Sequence, residues 1–221
     1  MIVDDHCLFR YGVARLIEDE SDIVVVGHAE SGEGALILLQ TVAVDVVLMD
    51  VKMPGIGGIE AAQLIKQLHP KVRVIGMSSI DVGVIPSRML SAGAWAFITK
   101  NVPVAELMQA IRLVKEGKHY ITSSVAITLA TDPFNKGKKV LFEKLSKREL
   151  QIAMALSDGN KVSSVAERLK LSPKTVYTYR YRIFEKLGIK NDVELTILAM
   201  KHGICDTSED YMDYDKRRQS L

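Results

Sequence analysis

Along the first half of the chain, short β-branched runs alternate with segments of helical period. Ile23-Val24-Val25-Val26, Val44–Met49, Val72–Met77 and Ala94–Ile98 are strand-like, whereas Ser31–Gln40, Ile59–Leu68, Val84–Leu90 and Val104–Val114 carry apolar residues at helical spacing. Strands that alternate with helices predict right-handed βαβ crossovers and a parallel sheet covered on both faces. The nearly continuous apolar strands fit burial on both sides. Ser31 is placed to cap the second helix, Pro70 follows the third, and Pro103 stands where a first helical turn tolerates proline. Five strands result if Ile2-Val3 is the first. Such a strand is shorter than the usual about 5–6 residues, so it is either abbreviated or begins upstream.

From Ala130 to Phe142 the pattern breaks into Pro, Gly, Asn and clustered Lys, which predicts a linker. Beyond it no strand-like run recurs. Four helical segments follow, Lys147–Ser157, Ser163–Leu169, Pro173–Leu187 and Val193–His202, so the second domain is expected to be all-α. The expected organisation is an α/β domain over 1–118, a linker over 119–142, a helical domain over 143–205 and a disordered tail over 206–221.

Charge sharpens this division. The chain has 221 residues and a net charge of +2, but residues 1–131 carry 11 Lys and Arg against 14 Asp and Glu, and residues 132–205 carry 15 against 8. A net −3 domain beside a net +7 domain is what an electrostatic search for nucleic acid requires. The last 16 residues, with 5 acidic and 3 basic side chains, show no apolar periodicity. No apolar run approaches the roughly 20 residues of a membrane span, and no basic-then-apolar leader opens the sequence. Only two cysteines occur, Cys7 and Cys205, at opposite ends, which suits free thiols in the cytoplasm. No membrane partner is expected.

Ligands of parallel α/β sheets bind at the carboxyl ends of the strands, near the switch in strand order. Asp4-Asp5 ends the first expected strand, Asp50 the third and Ser78 the fourth, and Lys100 follows the fifth. Three carboxylates in one crevice repel one another and call for a cation, and hard oxygen donors suit Mg²⁺. A carboxylate nucleophile beside a metal and a lysine would form an acyl-phosphate. Taken singly, each element has a plainer meaning. Asp4-Asp5 could be a helix cap, Asp50 a turn aspartate, Lys100 a surface lysine and Ser78 a polar strand end. Their coincidence at successive strand ends favours the phosphorylation site. Gly55-Ile56-Gly57-Gly58 follows the third strand and lacks the spacing of a dinucleotide loop. His6 and His69 have no second histidine or thiolate at ligand spacing, so neither is expected to bind metal.

Val3-Asp4-Asp5-His6, Leu48-Met49-Asp50-Val51-Lys52-Met53-Pro54-Gly55, Ser78 and Ala92-Gly93-Ala94 leading to Lys100 together resemble the receivers of two-component response regulators, across nearly all of residues 1–118. The resemblance implies a flavodoxin-like (βα)5 receiver phosphorylated on Asp50 by a sensor histidine kinase. It implies Mg²⁺ on Asp5, Asp50 and the backbone carbonyl of Lys52, with Asp4 in the acidic pocket. Ser78 would be the switch hydroxyl, Phe97 the switch aromatic and Lys100 the switch cation that neutralises a phosphoryl oxygen.

In the basic half, Ser146 and Glu149 form the Ser-x-x-Glu pattern of a capping box. Val162, Val165, Ala166 and Leu169 then recur at helical spacing, and Leu171-Ser172-Pro173 breaks and restarts the chain with Ser172 as cap and Pro173 at the first helical position. The restarted helix turns Val176, Ile183 and Leu187 toward a core. Lys174, Tyr177, Thr178, Tyr181 and Arg182 lie on or near the opposite face, with Tyr179 and Arg180 intermediate. Such a helix suits entry into a major groove, although charge alone fits a merely solvated face as well. Leu145-Ser146-Lys147-Arg148-Glu149, Leu171-Ser172-Pro173-Lys174-Thr175-Val176 and Lys186-Leu187-Gly188-Ile189 resemble the output domain of the LuxR/NarL (FixJ) family over about residues 143–203, a four-helix helix-turn-helix domain. Val51–Gly58, Ser172–Val176 with Tyr179–Arg182, and Asp192–Thr196 narrow the resemblance to the GacA/UvrY/LetA group. That implies a transcription regulator rather than an enzyme, binding double-stranded promoter DNA through Lys174, Tyr177, Thr178, Arg180, Tyr181 and Arg182 and forming a homodimer when phosphorylated. It also implies activation of small regulatory RNAs. Tyr177 departs from the Asn common in that group. The last helix either forms the dimer contact of this domain type or simply completes the core.

Two rival functions differ in what they require. A Mg²⁺ phosphatase of the dehalogenase type would carry a second Asp two residues after its nucleophile, where this chain has Lys52. A regulator whose output helices bind protein would lack the steep salt dependence of a DNA complex.

Overall fold

The computed structural model describes residues 1–79, 83–131 and 141–205. Six parallel strands form one sheet: β1 (Ile2–Val3), β2 (His28–Ala29), β3 (Val46–Asp50), β4 (Arg73–Ser78), β5 (Ala96–Thr99) and β6 (Tyr120–Ile121). Their order is β2-β1-β3-β4-β5-β6. The order reverses between β1 and β3, and the crevice at that switch is the place for a ligand. Alternate residues face opposite layers, as the two-residue period of a strand demands. Val47, Met49 and Val74 join the core beneath α2 (Gly32–Leu38), α3 (Gly57–Leu68) and α4 (Ile85–Ser91). Leu48, Ile75 and Met77 join the core beneath α1 (Cys7–Glu18) and α5 (Val104–Lys115).

The pattern of the sequence is followed closely where segments are long, with departures where they are short. Ser31 caps α2 by accepting from the Gly34 N–H at 3.2 Å. Ile23–Val26, expected as a strand, has no ladder partner among the described residues, and β2 is only His28–Ala29. The reason is that β1 offers only two residues to pair with. The pattern predicts five strands and the described residues hold six, because Tyr120–Ile121 adds to the sheet edge through β5, with the Tyr120 N–H on the Trp95 carbonyl at 3.1 Å. Two residues are too few for any alternation to show. β6 and the following α6 (Ser123–Thr131) fall in the stretch that the pattern left as linker. Helix α1 was not singled out either, although Arg10, Val13, Ala14 and Ile17 are its buried stripe. The remaining linker, 132–140, and the tail, 206–221, lie outside the described residues.

The second half contains α7 (Lys147–Ser157), α8 (Val162–Arg168), α9 (Pro173–Leu187) and α10 (Asp192–Lys201). The capping box is formed: Ser146 Oγ accepts from the Glu149 N–H at 3.2 Å, and Glu149 Oε2 accepts from the Ser146 N–H at 2.7 Å. Ser172 caps α9 at 3.1 Å, ahead of Pro173. Gly188 ends α9 with φ +68°, a left-handed backbone that glycine adopts without steric penalty. Leu150, Ile152, Val165, Val176, Ile183, Leu187, Leu195 and Ala199 make the small core. This core is continuous with the one under α3 and α4, so the helical half is docked on the sheet half.

Candidate functional site

Ile2 pairs with Leu48 and Val3 with Met49, which sets Asp4 beside Asp50 at the strand ends. β4 pairs with both β3 and β5, and the Lys100 N–H donates to the Ser78 carbonyl at 2.8 Å. Register alone therefore brings Asp4, Asp5, Asp50, Ser78 and Lys100 to one crevice. Lys100 Nζ lies 2.6 Å from Asp4 Oδ2 and 3.1 Å from Asp50 Oδ1, with its charge over the Phe9 ring at 4.6 Å. Asp4 and Asp50 are 1% and 3% exposed.

Carboxylates so deeply placed need support, and several groups that the pattern had not marked supply it. Arg10, itself buried, donates to the Asp4 carbonyl at 2.6 Å and to Glu30 at 2.8 Å. Asp4 Oδ1 accepts from the His6 N–H at 2.8 Å in the turn before α1, whose cap is His6 and carries no side-chain capping bond, so Asp4 does not cap the helix. Gly58, at the start of α3, lies against the Asp50 carbonyl so closely that any Cβ would collide with it. The signals were weak: one arginine on an unmarked helix, and one glycine among three.

Burial is the largest influence on Asp50, pushing its carboxyl up to about 6; Lys100 opposes this, and Asp4 and Asp5 add to it. Burial works against the Lys100 ammonium, but Asp50 and Asp4 together hold it above its ordinary value. The crevice thus carries more negative charge than its lysine neutralises. Among the described residues, Asp50 Oδ2 and Asp5 Oδ1 are buried without a hydrogen-bond partner, although His6 Nδ1 stands 3.2 Å from the latter. Ligand atoms of Asp4, Asp5, His6 and Asp50 lie within 4.8 Å of one another. Hard, orphaned oxygens with a local excess of negative charge fit a divalent cation such as Mg²⁺. His6, set aside on spacing alone, stands at the edge of this cluster.

Ser78 is buried beside the site, and Phe97, on β5, is completely buried. Phe97, the expected switch aromatic, therefore already lies within the core in this state. Any movement of that ring has to be a repacking within the core, where the side chain of Met89 lies nearby against Gly76.

On the far side of the helical half, α9 presents Lys174, Tyr177, Thr178, Tyr181 and Arg182 to solvent, with Tyr181 72% exposed. Positions 174, 177, 178 and 181 share one face by helical spacing. Arg180 is not among them. It lies on the flank of Val176 and Ile183, bonded through Nε and Nη2 to Asp192 at 2.8 and 2.7 Å, with its guanidinium 4.6 Å from the Phe184 ring centre.

Between the halves, the loop after β3 is clasped by α7 and α8. Arg148 donates to the Gly55 carbonyl at 2.5 Å, Gln151 donates to the Met53 and Gly55 carbonyls at 3.2 and 3.0 Å, and the Gly55 N–H donates to the Arg168 carbonyl at 3.2 Å. Lys52 Nζ pairs with Asp158 at 3.2 Å. Arg88 of α4 binds the carbonyls of Phe142, Glu143 and Leu145 at 3.1, 2.8 and 2.6 Å. Arg168 reaches the acidic crevice itself. Docking of this kind leaves no periodic trace in a sequence.

Comparison with known proteins agrees with both halves. Residues 1–112 match the response regulator receiver domain family, and residues 143–199 match the bacterial regulatory proteins of the luxR family. The chain is 46% identical to the response regulator GacA of Pseudomonas protegens over 94% of its own length and 98% of that protein. It is 44% identical to the response regulator UvrY of Escherichia coli K12 over 93% of its length and 95% of that protein. Among solved structures, RcsB of Salmonella enterica serovar Typhimurium, bound to the P1flhDC promoter with the phosphomimetic BeF3−, aligns with a TM-score of 0.57 at 25% identity, covering 89% of this chain and 95% of that one. With an acidic crevice at the switch of a parallel sheet and an exposed basic helix after a tight turn, the chain belongs to the two-component response regulators that join a receiver to a LuxR-type DNA-binding domain.

Proposed function

We propose that Asp50 accepts a phosphoryl group from a sensor histidine kinase and that the modified protein forms a homodimer that binds promoter DNA through α9. What carries the reading is the convergence of Asp4, Asp5, Asp50 and Lys100, with Lys100 Nζ 3.1 Å from the Asp50 carboxylate and the other Asp50 oxygen unpartnered. Asp5, Asp50 and the Lys52 carbonyl would hold Mg²⁺, which when bound neutralises charge on phosphoryl oxygens. Asp50 attacks phosphorus as a carboxylate, displacing the donor histidine, and Lys100 stabilises the oxygens it faces. Asp4 keeps Lys100 aimed into the crevice. Ser78 then donates to the new phosphoryl group.

This is a regulator rather than an enzyme, since the second Asp of a dehalogenase-type phosphatase is replaced by Lys52, whose side chain is turned to Asp158. Lys174, Tyr177, Thr178, Tyr181 and Arg182 face the major groove, and Arg180 steadies the helix from behind. The promoter complex of RcsB supports duplex DNA as the target, and a DNA-binding regulator of this kind would act in the cytoplasm. Its likeness to the GacA/UvrY group extends the role to activating transcription of small regulatory RNAs. Incubation with acetyl phosphate and Mg²⁺ should label wild type and leave Asp50→Asn unlabelled. Equal labelling of both would overturn the assignment.

A further inference from the structure

The last residue of α8 reaches across the domain boundary into the acidic crevice. One nitrogen of Arg168, Nη2, lies 2.8 Å from Asp5 Oδ2 and 3.4 Å from the Lys52 carbonyl oxygen. Those are two of the three protein oxygens assigned above to the cation. We propose that Arg168 is an internal competitor for the divalent-cation site, so that cation loading and docking of the helix-turn-helix exclude each other. The inference rests on the reading of Asp5, Asp50 and Lys52 as the cation site and deepens it.

The argument is one of space and charge. A bound Mg²⁺ needs its oxygens at about 2.0–2.1 Å in near-octahedral array, so the volume between Asp5 Oδ2 and the Lys52 carbonyl cannot hold both the metal and a guanidinium. The guanidinium is also a poor substitute. It brings one charge where the crevice needs more, and it leaves Asp5 Oδ1 and Asp50 Oδ2 buried and unsatisfied. A divalent ion satisfies both needs and so displaces it. The guanidinium contacts with Asp5 and Lys52 are themselves part of what holds α8 to the sheet half, beside the bond from the Gly55 N–H to the Arg168 carbonyl. Withdrawal of Arg168 therefore loosens the clasp on the β3–α3 loop. The recognition face of α9 is already open in the docked state, with Tyr177 57% exposed. The clasp thus gates loading of the phosphorylation site, and frees the output domain for pairing, without masking the DNA-binding face. By linkage, whatever Mg²⁺ gains from undocking, undocking gains from Mg²⁺.

The test is titration of the full chain with Mg²⁺ by calorimetry, for wild type, Arg168→Ala and Arg168→Gln, with small-angle scattering at each end of the titration. Both variants should bind Mg²⁺ about five- to tenfold more tightly than wild type, at the lower end of usual coupling. Wild type should expand when Mg²⁺ is added, and the variants should be expanded without it. The glutamine variant keeps a polar, uncharged side chain too short to reach Asp5 and decides the matter should the alanine variant fold poorly. Asp158→Asn, which loosens the clasp through the Lys52 side chain and leaves Arg168 in place, should tighten Mg²⁺ less than either. Mg²⁺ affinities for wild type and the Arg168 variants within twofold of one another, or weaker binding by the variants, would overturn the competition while leaving the cation site intact. Absence of Mg²⁺ binding in every protein would overturn the cation site and the competition together.

Discussion

Lys100 holds its ammonium 3.1 Å from one oxygen of Asp50 and leaves the other oxygen of that carboxylate buried without a partner. This half-neutralised state is poised for a second cation and an incoming phosphoryl group. Lys100→Ala should slow labelling of Asp50 by acetyl phosphate by about a hundredfold, the scale on which losing one aimed electrostatic donor acts. Initial rates at saturating Mg²⁺ measure it, and an unchanged rate would remove Lys100 from the chemistry.

Ser78 sits at the end of β4, one residue beyond Met77, which pairs with Asp50 across the ladder. Because its hydroxyl can follow a phosphoryl group whereas Phe97 is already packed, Ser78→Ala should be labelled normally yet lose most of the gain in operator affinity. That gain is expected to be about five- to 150-fold for the wild type. Operator binding with and without beryllium fluoride gives both numbers.

On α9, Lys174→Ala should weaken binding to all sequences alike and lower the salt slope by about 1, as loss of one phosphate contact does. Tyr177→Ala should instead change the selected site. Arg180→Ala should behave as neither, because its guanidinium is committed to Asp192. An exposed pair of this sort contributes about 0.2–1 kcal/mol to stability, so a small fall in the melting temperature is the expected result. A binding-site selection paired with thermal melts separates the three.

The capping box at Ser146 and Glu149 is tied to Lys186, whose Nζ lies 2.6 Å from Glu149 Oε2. Burial works against the Glu149 carboxylate, but Lys186 and the Ser146 donors hold it below its ordinary value. A depressed folded-state value stabilises the fold at pH above the usual carboxylate range, and that stability is lost as pH falls through the folded value. Ser146→Ala should cost about 1 kcal/mol at neutral pH. The difference between wild type and Glu149→Gln should shrink on acidification. Denaturant melts across the acid range show whether it does.

Helix α10 leaves Val193 68% and Ile197 47% exposed, four residues apart on one face. If that face joins two output domains on DNA, Val193→Glu with Ile197→Glu should abolish the dimeric operator complex while the melting temperature stays within a few degrees of wild type. Retention of a dimer on DNA by this variant would assign the face no role in pairing.

Sequence alone determined the elements that are long and periodic. The helices Lys147–Ser157 and Pro173–Leu187 begin and end where Ser146, Ser172 and Gly188 say they should, since caps are local chemistry written in adjacent residues. Val46–Asp50 and Arg73–Ser78 were equally legible, and with them the positions of Asp50 and Ser78, because a buried parallel strand must be apolar throughout. What only tertiary structure decided was everything that depends on partners distant in the chain. Ile23–Val26 has every mark of a strand and lacks one to pair with, whereas Tyr120–Ile121 has no mark and finds β5. Arg180, expected among the DNA contacts, is paired in this structure with Asp192, twelve positions on. Arg168 carries no mark in the sequence, yet it stands 2.8 Å from Asp5, 163 residues away in the chain. Local propensity and periodicity are properties of neighbours in sequence and can be read there. An ion pair across a domain boundary depends on how two finished surfaces meet, and no short segment encodes it.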